Sequence, residues 1–191
     1  MPDYQPVELA KCYRLLNHGP TVLVTSAHAG RANVMAAAWS MPLDFNPPKV
    51  AVVIDKATLS RQLIEASGEF VLNVPVKAQA AAVLQVGSES GLQVADKFAA
   101  SGLSAEPGHT VAAPHVAGCA GWLECKLLRE THNQQQYDLF IGEVISAWAD
   151  PALFKDGHWQ PIADDAKRTL HYIAGGHFFA IGDAFEIAQP D

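Results

Sequence analysis

Long apolar runs are missing from this 191-residue chain, and charged residues are sparse at 17%. No stretch approaches the roughly 18–20 consecutive apolar residues that cross a bilayer. Residues 1–16 mix Asp, Glu, Lys and Arg where an export signal needs an unbroken apolar segment. The expectation is a soluble, unexported, cytoplasmic protein with no membrane partner. Positive charge is also scarce: 13 Lys and Arg stand against 20 Asp and Glu, a formal net charge of -7. The basic residues are scattered rather than gathered in one patch, which argues against nucleic acid as a partner. Cysteine is limited to Cys12, Cys119 and Cys125, an odd number without CxxC spacing, so neither a disulfide framework nor a structural zinc site is expected.

Catalytic signatures are equally thin. Eight histidines are present, but none shows HxxxH or HExxH spacing, and no bound metal is expected. No GxGxxG follows a strand and no GxxxxGK[ST] occurs, which removes the Rossmann and P-loop readings. Gly87-Ser88-Glu89-Ser90-Gly91 imitates a nucleophile elbow, yet Glu89 stands at the apex where a hydroxyl is needed. A serine hydrolase is therefore discarded.

What remains is abundant apolar material, 49% of the chain, arranged in short β-rich runs separated by Pro, Gly, Asn and Asp. Strands are expected at residues 21–26 (TVLVTS), 32–40 (ANVMAAAWS), 49–55 (KVAVVID) and 69–74 (EFVLNV), with a turn at His28 to Gly30. A helix fits between the last two strands, with Thr58 as N-cap, Leu59, Leu63 and Ile64 on its apolar face and Gly68 at its end. Residues 76–86 have helical composition, and 96–101 closed by Gly102 read as a second short helical turn. Beyond Gly121, GWLECKLLRET and YDLFIGEVISAWAD are expected to form an antiparallel hairpin across a polar loop, HNQQQ. Residues 155–158 read as a tight turn, and 171–183 as a last aromatic strand interrupted by Gly175 and Gly176. With no repeat or low-complexity linker, residues 1–191 are read as a single domain, mainly β with helices attached, built on a closed or nearly closed antiparallel barrel.

Four segments, taken in order, carry a resemblance. They are Asn33-Val34-Met35 through Trp39-Ser40; Lys56 through Ser60 with Glu69 to Asn73; Gly87 to Gly91 followed by Asp96-Lys97-Phe98; and Leu139 to Val144. Together, over about residues 15–183, the chain resembles the flavin reductase-like family of FMN-binding split barrels, which includes flavoredoxin. The resemblance implies an antiparallel, Greek-key type split β-barrel. It implies FMN as bound cofactor and a homodimer with sites near the subunit interface. It also implies an NAD(P)H-dependent flavin reductase that hands electrons to a second flavin, iron or an acceptor protein. A flavin-binding electron carrier and a pyridoxamine-phosphate-oxidase-like barrel are the alternatives.

Physical roles can be assigned to residues on that basis. A site for FMN needs hydrogen-bond donors to the anionic phosphate at one end and an apolar shelf at the other. Thr58 and Ser60 open a helix, where free N–H groups and the positive dipole end attract an anion, and Lys56 and Arg61 could add charge. As isolated features, Thr58 is equally well a simple N-cap and Ser60 a solvated helix residue. The resemblance implies phosphate and ribityl contact at Thr58 to Ser60, a cation at Lys97, and flavin contact at Asn33 and Trp39. The backbone from Val34 and Met35 to Ser40 is expected to reach the ring edge. If residues 32–40 are extended, Asn33 and Trp39 share one face. Tyr137 stands where the family often carries histidine, which leaves a donor but no group that titrates near neutral pH. Phe178 or Phe179 is a second aromatic candidate. No side chain is assigned a catalytic role, since flavin carries the electrons.

Overall fold

The computed structural model describes residues 3–188. Its first half contains β1 (Gln5–Pro6), a 3-10 segment Leu9–Leu15, β2 (Val22–His28), β3 (Arg31–Ala37), β4 (Ser40–Phe45), β5 (Pro48–Val53), α1 (Leu59–Ser67), β6 (Glu69–Val74) and α2 (Ala80–Ser88). The second half continues with α3 (Lys97–Ser101), β7 (Ala105–Glu106), β8 (His115–Val116), β9 (Gly121–Leu128), α4 (Thr131–Tyr137) and β10 (Leu139–Ala149). Two further 3-10 segments, Lys77–Gln79 and Asp165–Lys167, and three short antiparallel pairs complete the inventory: β11 (Phe154–Lys155) with β12 (His158–Trp159), β13 (Leu170–Ala174) with β14 (His177–Ala180), and β7 with β8. Eight strands form one antiparallel sheet in the order β3-β2-β6-β9-β10-β5-β4, with β1 added along β10. β3 and β4 end that order without pairing, so the curled sheet is a split barrel rather than a closed one.

β2 shows why its sequence is almost unbrokenly apolar. Val22 and Val24 point into the barrel with Val52, Ile64, Phe70, Leu72, Leu123 and Phe140, whereas Leu23 points outward to Val34, Val83, Val86 and Phe98. Both faces are covered, so alternation disappears. The Ala29-Gly30 turn, with φ of 48° and 78°, gives the left-handed pair that a tight β2–β3 hairpin requires.

α1 is built as its sequence indicates. The Thr58 hydroxyl accepts from Arg61 N at 3.3 Å, and Gly68 closes the helix with φ 74°. Leu59, Leu63 and Ile64 are buried. α3 repeats the scheme, with Asp96 accepting from Ala99 N and Gly102 left-handed at φ 71°.

Three expectations need correction. Residues 32–40 are not one strand: β3 ends at Ala37 and Ser40 already pairs with Val52 in β4. HNQQQ belongs to helix α4, whose last turn is closed by Asp138 in the left-handed conformation. Arg61 reaches across to hold this end, donating to Asp138 Oδ1 and to Gln134 O at 2.7 Å, contacts between residues more than 70 apart that no local pattern reveals. The aromatic segment at the C-terminal side is a hairpin, β13 and β14, turned by Gly175 and Gly176 at φ 57° and 81°.

One buried carboxylate organises the far side of the sheet. Glu124 on β9 accepts from His109 N at 2.5 Å, Thr110 N at 2.9 Å, the Thr110 hydroxyl and His115 Nε2 at 2.7 Å. Burial alone would raise this carboxyl, but those donors outweigh it and hold it at about 2.

Candidate functional site

A cleft runs between β3, the start of α1, the C-terminal end of α2 and the β13–β14 hairpin. It has two chambers, of ≈ 630 Å³ and ≈ 290 Å³, which share Met35, Ala36, Gly87 and Ser88 as common wall. The larger volume falls in the range of small-molecule sites. Close packing of α2 on β3 shapes the shared wall: a Cβ on Gly87 would lie 3.3 Å from the Ala36 Cβ.

The small chamber is polar and gathers residues from four separate segments. Asn33 from β3 is buried and donates through Nδ2 to the Ser60 hydroxyl at 2.9 Å. Gly91 packs against that amide so tightly that a Cβ there would stand 2.5 Å from Asn33 Oδ1. Thr58 and Ser60 stand at the entrance to α1, and the Thr58 hydroxyl donates to Asp55 O at 2.8 Å. Lys97, only 3% exposed, donates to Val86 O at 2.6 Å and to Glu89 O at 2.8 Å. It closes the C-terminal end of α2 through partial charges alone, since no carboxylate forms an ion pair with it among the described residues. Burial lowers its affinity for the proton, opposed by the more distant Glu89. A buried ammonium with one proton left over and no counter-ion is a seat for an anion.

The large chamber is apolar and ringed by aromatic side chains. Trp39, between β3 and β4, and Tyr137, at the end of α4, stand at its mouth, 74% and 64% exposed. Tyr172 and Phe178 face each other across the β13–β14 pair and form the opposite wall. The hairpin is fixed to β2 by Thr21, whose hydroxyl accepts from Tyr172 N at 2.7 Å and whose N–H donates to Leu170 O at 2.8 Å.

The cleft therefore unites Asn33, Met35, Trp39, Thr58, Ser60 and Lys97 with Tyr137 and Phe178. Three of the expected residues are outside the lining of both chambers. The Val34 side chain joins the cluster with Leu23 and Val83, whereas Met35 to Trp39, from the stretch whose backbone is expected at the ring edge, line the large chamber. Ser40 lies within β4, its buried hydroxyl without a partner. Lys56 is exposed on the turn before α1, lining neither chamber. Arg61 is committed to Glu65, Asp138 and Gln134 O and adds no free charge. Asn33 and Trp39 do not share a strand face, because the strand ends between them; they serve different chambers. Phe179 is 68% exposed and lines neither chamber. Thr21, Asp55, Asp138, Tyr172 and Ile173 also line the cleft without having been singled out from sequence. The paired glycines 175–176 were the available signal for the last two, since a hairpin turn there folds Tyr172 back beside Phe178.

Polar seat, apolar shelf and shared glycine wall match the two ends of a flavin nucleotide. Residues 14–177 match the flavin reductase like domain. The chain belongs to that family. It is similar to a Shewanella baltica protein solved as an FMN-binding domain of a flavin reductases-like enzyme, with 53% identity, 98% of each chain covered and a TM-score of 0.95. It is also similar to flavoredoxin of Desulfovibrio vulgaris, with 29% identity, 89% and 90% of the two chains covered and a TM-score of 0.77. A further relative is the reductase subunit HsaB of a flavin-dependent monooxygenase from Mycobacterium tuberculosis, 25% identical over 78% of this chain and 79% of that protein. Among the described residues, no helix of this family member is long and apolar enough to cross a membrane.

Proposed function

We propose that this family member is an FMN-dependent oxidoreductase that accepts hydride from NAD(P)H and passes electrons to a second acceptor. The observation that carries the cofactor assignment is Lys97, a buried cation without a carboxylate, beside the opening of α1. Lys97, Ser60, Thr58 and the first N–H groups of α1 would hold the phosphate end, and Asn33 would orient Ser60 toward it. Met35, Trp39, Tyr137 and Phe178 would flank the ring in the large chamber. FMN, when bound, supplies the hydride-accepting ring, so the protein needs no nucleophile or acid–base pair of its own. The side chains bind and orient, and the apolar wall excludes water around the ring.

Similarity to a monooxygenase reductase subunit supports a reductase that serves a separate acceptor protein, whereas similarity to flavoredoxin supports an electron carrier. Anaerobic titration of the FMN-loaded protein with NADH and NADPH separates them. Bleaching of the flavin bands by either is expected; a flavin that binds but does not bleach leaves the carrier, and protein that refuses FMN refutes both. The same reading includes a homodimer. Edge strand β4 exposes Met41, Leu43 and Phe45, all 45% or more accessible, which a second copy would cover. Sedimentation velocity should show two chains per particle.

A further inference from the structure

We propose that the molecule entering the large chamber to react is planar, apolar and free of negative charge at the end it buries, and that Asp55 and Asp138 turn anions away. This rests on the flavin reading above, since it concerns what shares the chamber with the ring. The two chambers have opposite charge preferences. The small one holds Lys97, whereas among the described residues the wall of the large one contains no Lys, Arg or His and carries two carboxylates, Asp55 and Asp138. Arg61 is the basic side chain bound to that wall, but it is taken up by Asp138, by Glu65 at 2.9 Å and by Gln134 O at 2.7 Å. The cluster Glu65–Arg61–Asp138 keeps one net negative charge, and Asp55 adds another. Lys56, next to Asp55, is not part of the lining and is exposed to screening solvent. An anion entering here would shed hydration against aromatic walls, find no counter-charge and meet repulsion at the mouth. A flat neutral molecule gains the apolar contact without that penalty.

Benzamide and benzoate share an outline and differ in charge, so they test the idea directly. Each is titrated into FMN-loaded protein at neutral pH, with the bound flavin spectrum as readout. Benzamide should bind at least about tenfold more tightly. Asp55→Asn should narrow that ratio about threefold, because the Asn oxygen can still accept from Ala57 N, the bond Asp55 makes at 2.7 Å, while the charge is gone. Asp138→Asn should narrow it further by releasing part of the Arg61 charge. Equal affinities, tighter benzoate, no benzamide binding, or a ratio unmoved in both variants overturns the proposal. Flavin retention is measured first, and the pair is also titrated into flavin-free protein by tryptophan fluorescence, Trp39 being at the chamber mouth. Failure to hold FMN then counts against the cofactor assignment, and failure to discriminate charge counts against this one.

Discussion

Replacing Lys97 by Met isolates the phosphate seat from everything else in the cleft. In the flavin-free protein the substitution removes two hydrogen bonds from an ammonium, at 2.6 and 2.8 Å, to Val86 O and Glu89 O. Each such charge-assisted bond contributes about 1.5–3 kcal/mol. The substitution also removes a buried charge whose desolvation costs several kcal/mol, so the two effects largely cancel and stability should move by less than about 2 kcal/mol. With FMN the balance changes, because a phosphate oxygen taking the remaining Nζ proton adds a bond of the same class. Losing it should weaken FMN about 10- to 150-fold. Riboflavin has no phosphate, and its affinity should change less than about threefold. Fluorescence-quenching titrations of both flavins against wild type and Lys97→Met give the ratio. A matched loss for the two flavins, or none for FMN, refutes the assignment. A linked pH effect follows. The folded-state value of Lys97 lies below its ordinary 10.5, so the unfolded chain binds more protons just under that pH. Flavin-free protein should gain stability as pH rises through that window. Bound phosphate favours the charged form and should reduce the gain.

Gly91→Ala should disturb the same chamber by crowding, since its Cβ would stand 2.5 Å from Asn33 Oδ1. Overpacking of this kind costs about 1–3 kcal/mol and should lower both the melting temperature and FMN affinity; unchanged values of both would show that Asn33 is not held where it positions Ser60. Glu124→Gln should cost about 2–4 kcal/mol in urea unfolding, because an amide cannot receive all four donors that surround the carboxylate. In wild type, the Glu124 contribution is fully present above about 4.5, its ordinary value, and is lost as pH falls toward about 2. The variant should show a flatter acid limb, and an identical limb in both proteins would remove Glu124 from that role.

Local patterns were enough for most of the scaffold. Thr58, Gly68, Asp96 and Gly102 mark their helix ends by side-chain chemistry and left-handed backbone, which act within a few residues. The runs that became β2, β5, β6, β9 and β10 are apolar enough to be strands in almost any context. Asn33, Thr58, Ser60 and Lys97 are singled out in the sequence by family resemblance and donor chemistry rather than by any visible proximity, and the fold brings all four to the small chamber.

Tertiary contacts decided the rest. HNQQQ has no apolar period of its own, and α4 is held at its end by Arg61 from α1. Strand alternation and the break at Ala37 turn the Val34 and Ser40 side chains out of the cleft, while Met35 to Trp39 between them line it. Lys97 could have been a surface lysine as easily as a buried cation. Its burial depends on α3, which it opens, packing against α2 and β3, and a sequence does not record which solvent a charge has lost. The negative mouth formed by Asp55 and Asp138 is likewise an accident of neighbourhood between residues 83 apart (138 − 55). Propensity and capping act locally and can be read along the chain, whereas electrostatics and burial depend on distance through space.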